Sequence, residues 1–298
     1  MPQGAGQQPF EDLAEFVRQR EPLAPYTSLR VGGAAEYFAQ PRSREELLAV
    51  VRRCFQEHIA LRVLGGGCNI LVRDDGVRGM VIRLSEPAFT QVAVEGKRIR
   101  AGAGTALSAL ISAAARHGLA GLESLVGVPG TIGGALRCNA GDRSGEIGQF
   151  VCSVEVLYDH GEVQVREREE LRFGYRSSNL DDVIVLAGEL ELEPDPVDAI
   201  VKRLRKAWIQ RKAGQPFGFQ AAGRIFKNPR GLSAAALIVQ AGLNGTRVGG
   251  AEVSDRDANF IVAQPGTSAR DILRLIDLIR SKVQARSGIE LELEIAVW

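Results

Sequence analysis

Two stretches of this chain carry almost no side chains, and they limit what it can fold into more than any other feature. Leu64-Gly65-Gly66-Gly67-Cys68-Asn69 follows directly on a short apolar run. Gly127-Val128-Pro129-Gly130-Thr131-Ile132-Gly133-Gly134-Ala135 is followed closely by Asn139-Ala140-Gly141. Without a Cβ to hold backbone at a distance, such loops let consecutive N–H groups converge on an anion, and a pyrophosphate is the usual guest. Either loop alone reads equally well as a tight turn. The chain has 34 glycines in 298 residues against 12 prolines, with no period of three. That pattern excludes collagen and a disordered linker, and leaves close backbone approach as the reason for the glycines.

Two common phosphate cradles are missing. Gly102-Ala103-Gly104 sits between a strand pattern and a helix pattern, but Leu107 stands where the third glycine of a dinucleotide fingerprint belongs. No Gly-x4-Gly-Lys-Ser/Thr run occurs. A dinucleotide bound here uses a different cradle. With 37 basic and 36 acidic residues the net charge is +1, which draws the chain neither to nucleic acid nor to an anionic membrane. Cys54, Cys68, Cys138 and Cys152 form no Cys-x-x-Cys, and His58, His117 and His160 lie far apart, so zinc-ligand spacing is absent and no metal is expected. Met1 to Arg20 holds no apolar run of signal length, and no stretch approaches ~20 apolar residues. A cytoplasmic protein with reduced thiols is the expectation, and a monomer the simplest state.

At 298 residues the chain is at the size where one core stops growing. Short apolar runs alternate with helical patterns in an α+β order. Glu11–Arg20 reads as a short helix ended by Pro22 and Pro25, and residues 35–40 as a strand. Arg44–His58 reads as an amphipathic helix with Leu47, Leu48, Val51 and Phe55 on its apolar face. Strands are expected at 61–64, 81–84, 92–94, 98–101, 153–158, 162–165 and 183–190. Thr105 is placed to cap a helix over 105–117. Pro194 and Pro196 mark a boundary before a helix over 197–210; a loop over 213–223, a small helix over 233–241 and a strand over 258–263 follow. Ser268 and Asp271 fit a capping box opening a helix over 268–285 that Gly288 stops. Residues 289–297 alternate as one strand, with Glu290, Glu292 and Glu294 on its polar face.

Six segments in order carry a resemblance: Thr27-Ser28-Leu29-Arg30-Val31-Gly32-Gly33, Leu64 to Leu71, Gly127 to Gly141, Phe173-Gly174-Tyr175-Arg176-Ser177-Ser178, Ile225-Phe226-Lys227-Asn228-Pro229, and Gly249 to Ile261. In these the chain resembles the UDP-N-acetylenolpyruvoylglucosamine reductases (MurB), in their short form, from about residue 20 to the end. The resemblance implies an α+β fold: an FAD-binding part of the type shared with vanillyl-alcohol oxidases, in two subdomains, then a substrate domain. The division it suggests is a lead-in over 1–25, an FAD part over 26–195 (about 26–85 and 86–195), and a substrate domain over 196–298. It also implies an oxidoreductase that passes hydride from NADPH through non-covalent FAD to an enolpyruvyl UDP-sugar, giving a peptidoglycan precursor.

The same resemblance assigns site residues. For FAD these are Arg30, Gly32, Leu64, Gly65, Gly66, Gly67, Cys68, Asn69, Gly127, Pro129, Gly130, Thr131, Gly133, Gly134, Asn139 and Gly141. For substrate they are Tyr175, Ser177, Lys212, Lys227 and Asn228. The reaction adds hydride to one carbon and puts charge on its neighbour, so the site must supply fixed donors at the enolate and then a proton. Arg176 matches the first catalytic position, where a planar fork suits a carboxylate becoming an enediolate. Glu294 matches the acidic position near the C-terminus; alternation alone does not separate it from Glu290 and Glu292. At the third position the family carries Ser or Cys as proton donor, and here Arg224 stands. A guanidinium gives up a proton poorly; it can stabilise the enolate while water or Glu294 supplies the proton. A weakly active paralogue that only binds FAD and nucleotide sugar is the alternative that Arg224 favours. Cys68 for Ser, Asp257 for His and Ala296 for Arg are further departures from the family pattern.

Overall fold

The first sheet forms where alternating apolar residues can bury both of their faces. In the computed structural model, which describes residues 9–142, 144–216 and 221–298, β1 (Val17–Pro22) and β2 (Ala34–Ala39) lead into α1 (Arg44–Gln56). Strands β3 (Leu61–Val63), β4 (Ile70–Leu71) and β5 (Val77–Ile82) follow. The sheet order is β1-β2-β5-β3, with β1 antiparallel to β2 and the β2-β5-β3 pairings parallel. One face of it, with Ala39, Met80 and Ile82, packs on the buried side of α1. The other, with Phe38, Val77 and Val81, packs on Leu23 and Leu64. Ser43 caps α1 by accepting from the Glu46 amide.

The second unit opens with β6 (Val92–Glu95), β7 (Arg98–Gly102), α2 (Leu107–Arg116), β8 (Leu119–Ala120) and α3 (Ile132–Arg137). It continues through β9 (Gly141–Asp142), β10 (Gly145–Glu146), β11 (Val151–Leu157) and β12 (Val163–Glu167). It closes with β13 (Phe173–Gly174), β14 (Ser177–Ser178), β15 (Ile184–Glu191) and β16 (Glu193–Pro194). Five of these strands make an antiparallel sheet in the order β12-β11-β15-β7-β6. Helix α4 (Val197–Gly214) follows the two prolines and lies against β8, α2 and the turn Leu122–Leu125 of this second unit. The third unit comprises α5 (Ala234–Gln240), the antiparallel sheet β17 (Arg247–Val248), β18 (Ala251–Val253), β19 (Ile261–Ala263), α6 (Ala269–Ser287) and β20 (Ala296–Val297). The capping box of Ser268 with Asp271 and the left-handed Gly288 bound α6 as the sequence implies. No helix among the described residues is long and apolar enough to cross a membrane.

Four local expectations differ from the structure. Residues 11–20 do not form a helix: Glu11–Leu13 makes one 3-10 turn, and the chain then becomes β1. Pairing of Val17 with Ala39 at the sheet edge outweighs helix propensity there. On α1 the buried stripe is Leu47, Val50, Val51 and Cys54, while Phe55 is 52% exposed. Thr105 caps nothing; α2 starts at Leu107, whose amide donates to the Gly130 carbonyl 3.0 Å away, so the second glycine loop does the hydroxyl's work. The strand over 289–297 is a regular ladder only in β20. Before it, the Glu294 amide donates to Ile225 O at 2.8 Å and the Lys227 amide to Glu292 O at 2.9 Å, so the segment threads along residues 225–227. Of the loop expected over 213–223, residues 217–220 lie outside the described ones, as do 1–8 of the lead-in.

The first two units are pinned by a carboxylate on β11. Glu155, only 8% exposed, takes both Arg44 nitrogens at 2.5 and 2.8 Å from α1, and a further bond from Arg100 on β7. The Arg44 fork, with Arg100 beside it, holds its pKa below the ordinary 4.5 against the effect of burial. A depressed carboxylate pKa adds stability that is fully present above the unfolded value and is lost as pH falls through the folded one. Glu155→Ala is therefore expected to cost about 2 kcal/mol at pH 7, read as a lower urea midpoint. The gap to the parent chain should narrow below pH 4.5. An equal gap at pH 7 and in acid would show that Glu155 acts through packing alone.

Candidate active site

Both glycine loops line one cleft of about 1540 Å³, well above the roughly 300–1,000 Å³ of a single-ligand site. The first loop leaves β3 and the second leads into α3. They pass so closely that a Cβ on Gly66 would come within 2.7 Å of Gly130 Cα, and one on Gly65 within 2.6 Å of Thr131 Oγ1. Gly130 holds φ +120° with open space in front of it. Among the described residues the backbone N–H groups of Gly65, Gly66, Gly67 and Gly130 make no hydrogen bond. Unsatisfied N–H groups on two facing loops are a fixed cradle for a multiply charged anion. A dinucleotide fits this cradle.

Of the residues assigned to the cofactor, Arg30, Gly65–Asn69, Gly127, Pro129–Thr131, Gly134 and Gly141 line the cleft. The remainder stand behind its wall. Leu64 is buried, a Cβ on Gly32 would strike Val72 Cβ at 2.6 Å, and one on Gly133 would touch Ala103 Cβ at 3.0 Å. Asn139 is 1% exposed; its Nδ2 donates to Glu146 Oε2 at 2.7 Å and to the Gly174 carbonyl at 2.9 Å, and its Oδ1 accepts from the Gly148 amide at 3.0 Å.

That buried amide fixes the turn that carries Arg176. Gly174 pairs with Ser177, leaving Tyr175-Arg176 as a two-residue loop, and Ser178 Oγ ties the return strand to Arg137 O at 2.8 Å. Arg176 has φ +55°, a left-handed conformation that costs a non-glycine residue about 1 kcal/mol. The turn aims its side chain at Glu294, and both line the cleft. Arg176 Nε lies 2.9 Å from Glu294 Oε1, with side chains 16% and 9% exposed. The N–H does not point along that line: Arg176 Nε and Glu294 Oε2 are both buried without a hydrogen-bond partner. Burial raises the Glu294 pKa above 4.5, against the pull of Arg176, Arg224 and Lys227.

Two more guanidinium groups face the same space. Arg224 lies 3.9 Å from Asp257 Oδ2 and makes no hydrogen bond among the described residues. Arg211 reaches across from the last turn of α4, donating to Ser124 O at 2.9 Å and Asp142 Oδ2 at 3.0 Å. Burial, with Arg224 and Arg176 nearby, lowers its pKa despite Asp142. Sequence reasoning passed over Arg211 for its neighbour Lys212; only the phase of α4 puts Arg211, and not Lys212, on the cleft wall. None of the other residues assigned to substrate lines the main cleft. Tyr175 is half exposed and its hydroxyl accepts from the Asn228 amide at 3.2 Å, while Lys227 pairs with Glu292 at 3.1 Å. Asn228 Oδ1 accepts from the first amide of α5 at 2.9 Å, and the residue lines a side cavity of about 270 Å³ that Arg224 shares with the main cleft. Ser177 stays in β14, outside the cleft wall.

Comparison with known proteins identifies the family and the fold. Residues 35–166 match the model of an FAD binding domain, and residues 215–298 that of the UDP-N-acetylenolpyruvoylglucosamine reductase C-terminal domain. The chain is 44% identical to the UDP-N-acetylenolpyruvoylglucosamine reductase of Moorella thermoacetica, over 95% of this chain and 93% of the relative. It is 40% identical to reductase 2 of Symbiobacterium thermophilum, over 95% and 92%. The crystal structure of the reductase (MurB) from Thermus caldophilus superposes with a TM-score of 0.83 at 42% identity, covering 95% of this chain and all of that one. 6-Hydroxy-D-nicotine oxidase from Arthrobacter nicotinovorans, 14% identical, shares the fold with a TM-score of 0.58 over 98% of this chain and 88% of its own.

The contact between the loops makes a direct test of the cradle. Gly66→Val forces a side chain against Gly130 backbone, which cannot yield as a flexible side chain would. FAD content after purification should fall at least about tenfold, the change that ~1.4 kcal/mol of lost affinity produces. Gly214→Ala, where a Cβ meets nothing, should bind FAD as the parent does. Equal flavin content in all three proteins would remove the loops from the binding site.

Proposed function

The chain belongs to the UDP-N-acetylenolpyruvoylglucosamine reductase family, and from that premise we propose that it uses NADPH to reduce the enolpyruvyl group of UDP-N-acetylglucosamine enolpyruvate to UDP-N-acetylmuramate. The observation that carries the reading is the unpartnered pair of Arg176 Nε and Glu294 Oε2, buried where the FAD cradle opens towards the third unit. FAD, when bound, supplies the hydride relay between NADPH and the enolpyruvyl double bond. The backbone of Gly65–Asn69 and of Gly127–Thr131 would hold it, with Arg30, Gly134 and Gly141 on the same wall.

The chain's own work is electrostatic and protonic. Arg176 presents its planar fork to the substrate carboxylate as that group becomes an enediolate, and its packed turn means little reorganisation is needed. Arg224 and Arg211 add fixed positive charge to the same face of the cleft. Glu294 holds the proton that the carbanion must receive. Its burial favours the neutral acid, and Oε2 is free to donate. The nucleotide sugar is assigned to Tyr175, Ser177, Lys212, Lys227 and Asn228; of these Asn228 lines the side cavity next to Arg224 and bonds Tyr175, and Ser177 and Lys212 stand off the cleft wall. The arginine at position 224 also supports a second reading, a paralogue that binds FAD and nucleotide sugar but turns over weakly.

Anaerobic stopped-flow absorbance separates the readings. NADPH should bleach the flavin, and the enolpyruvyl substrate should restore it without oxygen; bleaching with no restoration favours the weak paralogue. In Glu294→Gln, bleaching should persist while restoration slows about 100-fold, the span of one lost general acid. Restoration in the parent should weaken as pH rises through the raised Glu294 pKa, because the acid form is then lost, and Glu294→Gln should lack that limb. A Gln variant that restores flavin at the parental rate would assign the proton to another donor. Arg224→Ser tests the same step from the other side: markedly faster restoration would show that the arginine compromises protonation.

A further inference from the structure

The loop that forms the cofactor cradle also bonds the chain at Glu294 and at Gly223, the residue before Arg224. Asn69 ends the first glycine loop and lines the cleft, yet its side chain turns to the third unit: Nδ2 donates to the Glu294 carbonyl at 3.0 Å. Its own carbonyl accepts from the Ala296 amide at 3.0 Å, so residue 69 grips the chain at Glu294 and again two residues further on. On the other side, the Gly223 amide donates to Cys68 O at 2.7 Å, and a Cβ on Gly223 would meet Asn69 Oδ1 at 3.4 Å. Asn69 is thus wedged between Gly223, which precedes Arg224, and Glu294.

We propose that Asn69 is a positioning residue for Glu294: its amide fixes the carboxyl's backbone relative to the flavin cradle, so that cofactor loop and proton donor form one rigid piece. This deepens the reductase reading above and rests on it. One bond donated to Glu294 O and one accepted from the Ala296 amide leave this backbone little freedom to shift along the cleft. An alanine at position 69 keeps the loop's backbone donors and the Ala296 bond's acceptor but removes the donor to Glu294. A displaced, better hydrated carboxyl would lose its proton at lower pH and deliver it less well.

The test uses FAD-loaded Asn69→Ala and Asn69→Asp, the second nearly isosteric but unable to donate at neutral pH. Hydrogen–deuterium exchange should show residues 293–297 exchanging faster than in the parent, with or without FAD. Flavin restoration by UDP-N-acetylglucosamine enolpyruvate should slow about tenfold in both variants, the scale of a sub-ångström misplacement. NADPH bleaching should slow less than restoration does, and in Asn69→Ala the alkaline limb of restoration should move to lower pH. Equal loss of FAD, bleaching and restoration would make Asn69 a cofactor contact only and overturn the proposal. So would unchanged exchange together with an unmoved pH limb. If the parent itself never restores flavin, the reductase reading fails, and the exchange data still decide whether Asn69 holds this segment.

Discussion

The pairing of β20 with β4 joins the last residues of the chain to the strand leaving the first glycine loop, and much of the cleft is placed by it. Ala296 pairs with Ile70 and Val297 with Leu71, and the Trp298 amide and carbonyl continue the exchange with Leu71 and Arg73. A few residues on, Asp74 accepts from the amides of Ala269 and Arg270 at 2.8 and 3.0 Å, capping α6 with a carboxylate supplied by the first unit. A carboxylate at a helix N-terminus is worth about 0.5–2 kcal/mol. Residues 69–74 therefore fasten the third unit twice, once beside Glu294 and once at the start of its longest helix. The third unit cannot slide along the cradle without breaking both attachments.

Within that frame the electrostatics of the cleft are a contest that burial wins at one atom. Arg176, Arg224 and Lys227 all bring positive charge to Glu294, and a fully engaged ion pair would lower its pKa. Arg176 approaches to 2.9 Å but presents Nε at an angle that makes no hydrogen bond, so the Coulombic gain is partial while desolvation is nearly complete. The carboxyl ends above its ordinary value. Glu155 shows the opposite balance in the same protein. There Arg44 donates two aligned bonds, and the carboxylate is held low. Alignment, more than distance, separates a structural ion pair from an acid available for chemistry.

Much of this was legible in the sequence because local chemistry and tertiary context agreed. The glycine loops, α1, α6 with its capping box and Gly288 stop, and the strands of the central sheet all follow from patterns that the fold leaves intact. The misses occur where distant residues supply what a local signal offered. Thr105 was redundant because Gly130 O takes the α2 amide, and the second half of the expected helix became β1 because Ala34–Ala39 lay open to pair with it. Glu294 could not be told from Glu290 and Glu292 by alternation, since the three differ only through what packs over them: Glu290 and Glu292 stay in water, and Glu294 is covered by the Arg176 turn. Arg211 and the inner role of Asn139 carried no local signal at all. Each acts through a partner more than thirty residues away.

The exchange of serine or cysteine for Arg224 is the point at which family likeness and physical chemistry part. A hydroxyl or thiol can donate a proton and take one back from water; a guanidinium stays charged through the cycle. What the arginine adds in the proposed mechanism is permanent positive charge beside the enolate, from a group with no described hydrogen bond and one carboxylate, Asp257, at 3.9 Å. Stabilising an enolate makes it easier to form and less basic, so the proton that quenches it must come from an acid placed well. In the proposed mechanism Glu294 answers that need: it is buried, shifted towards its neutral form, unpartnered at Oε2, and fixed through its backbone to the cofactor loop. On that proposal the substitution at 224 and the tight hold on 294 form one arrangement, in which charge stabilisation and proton delivery fall to two separate side chains.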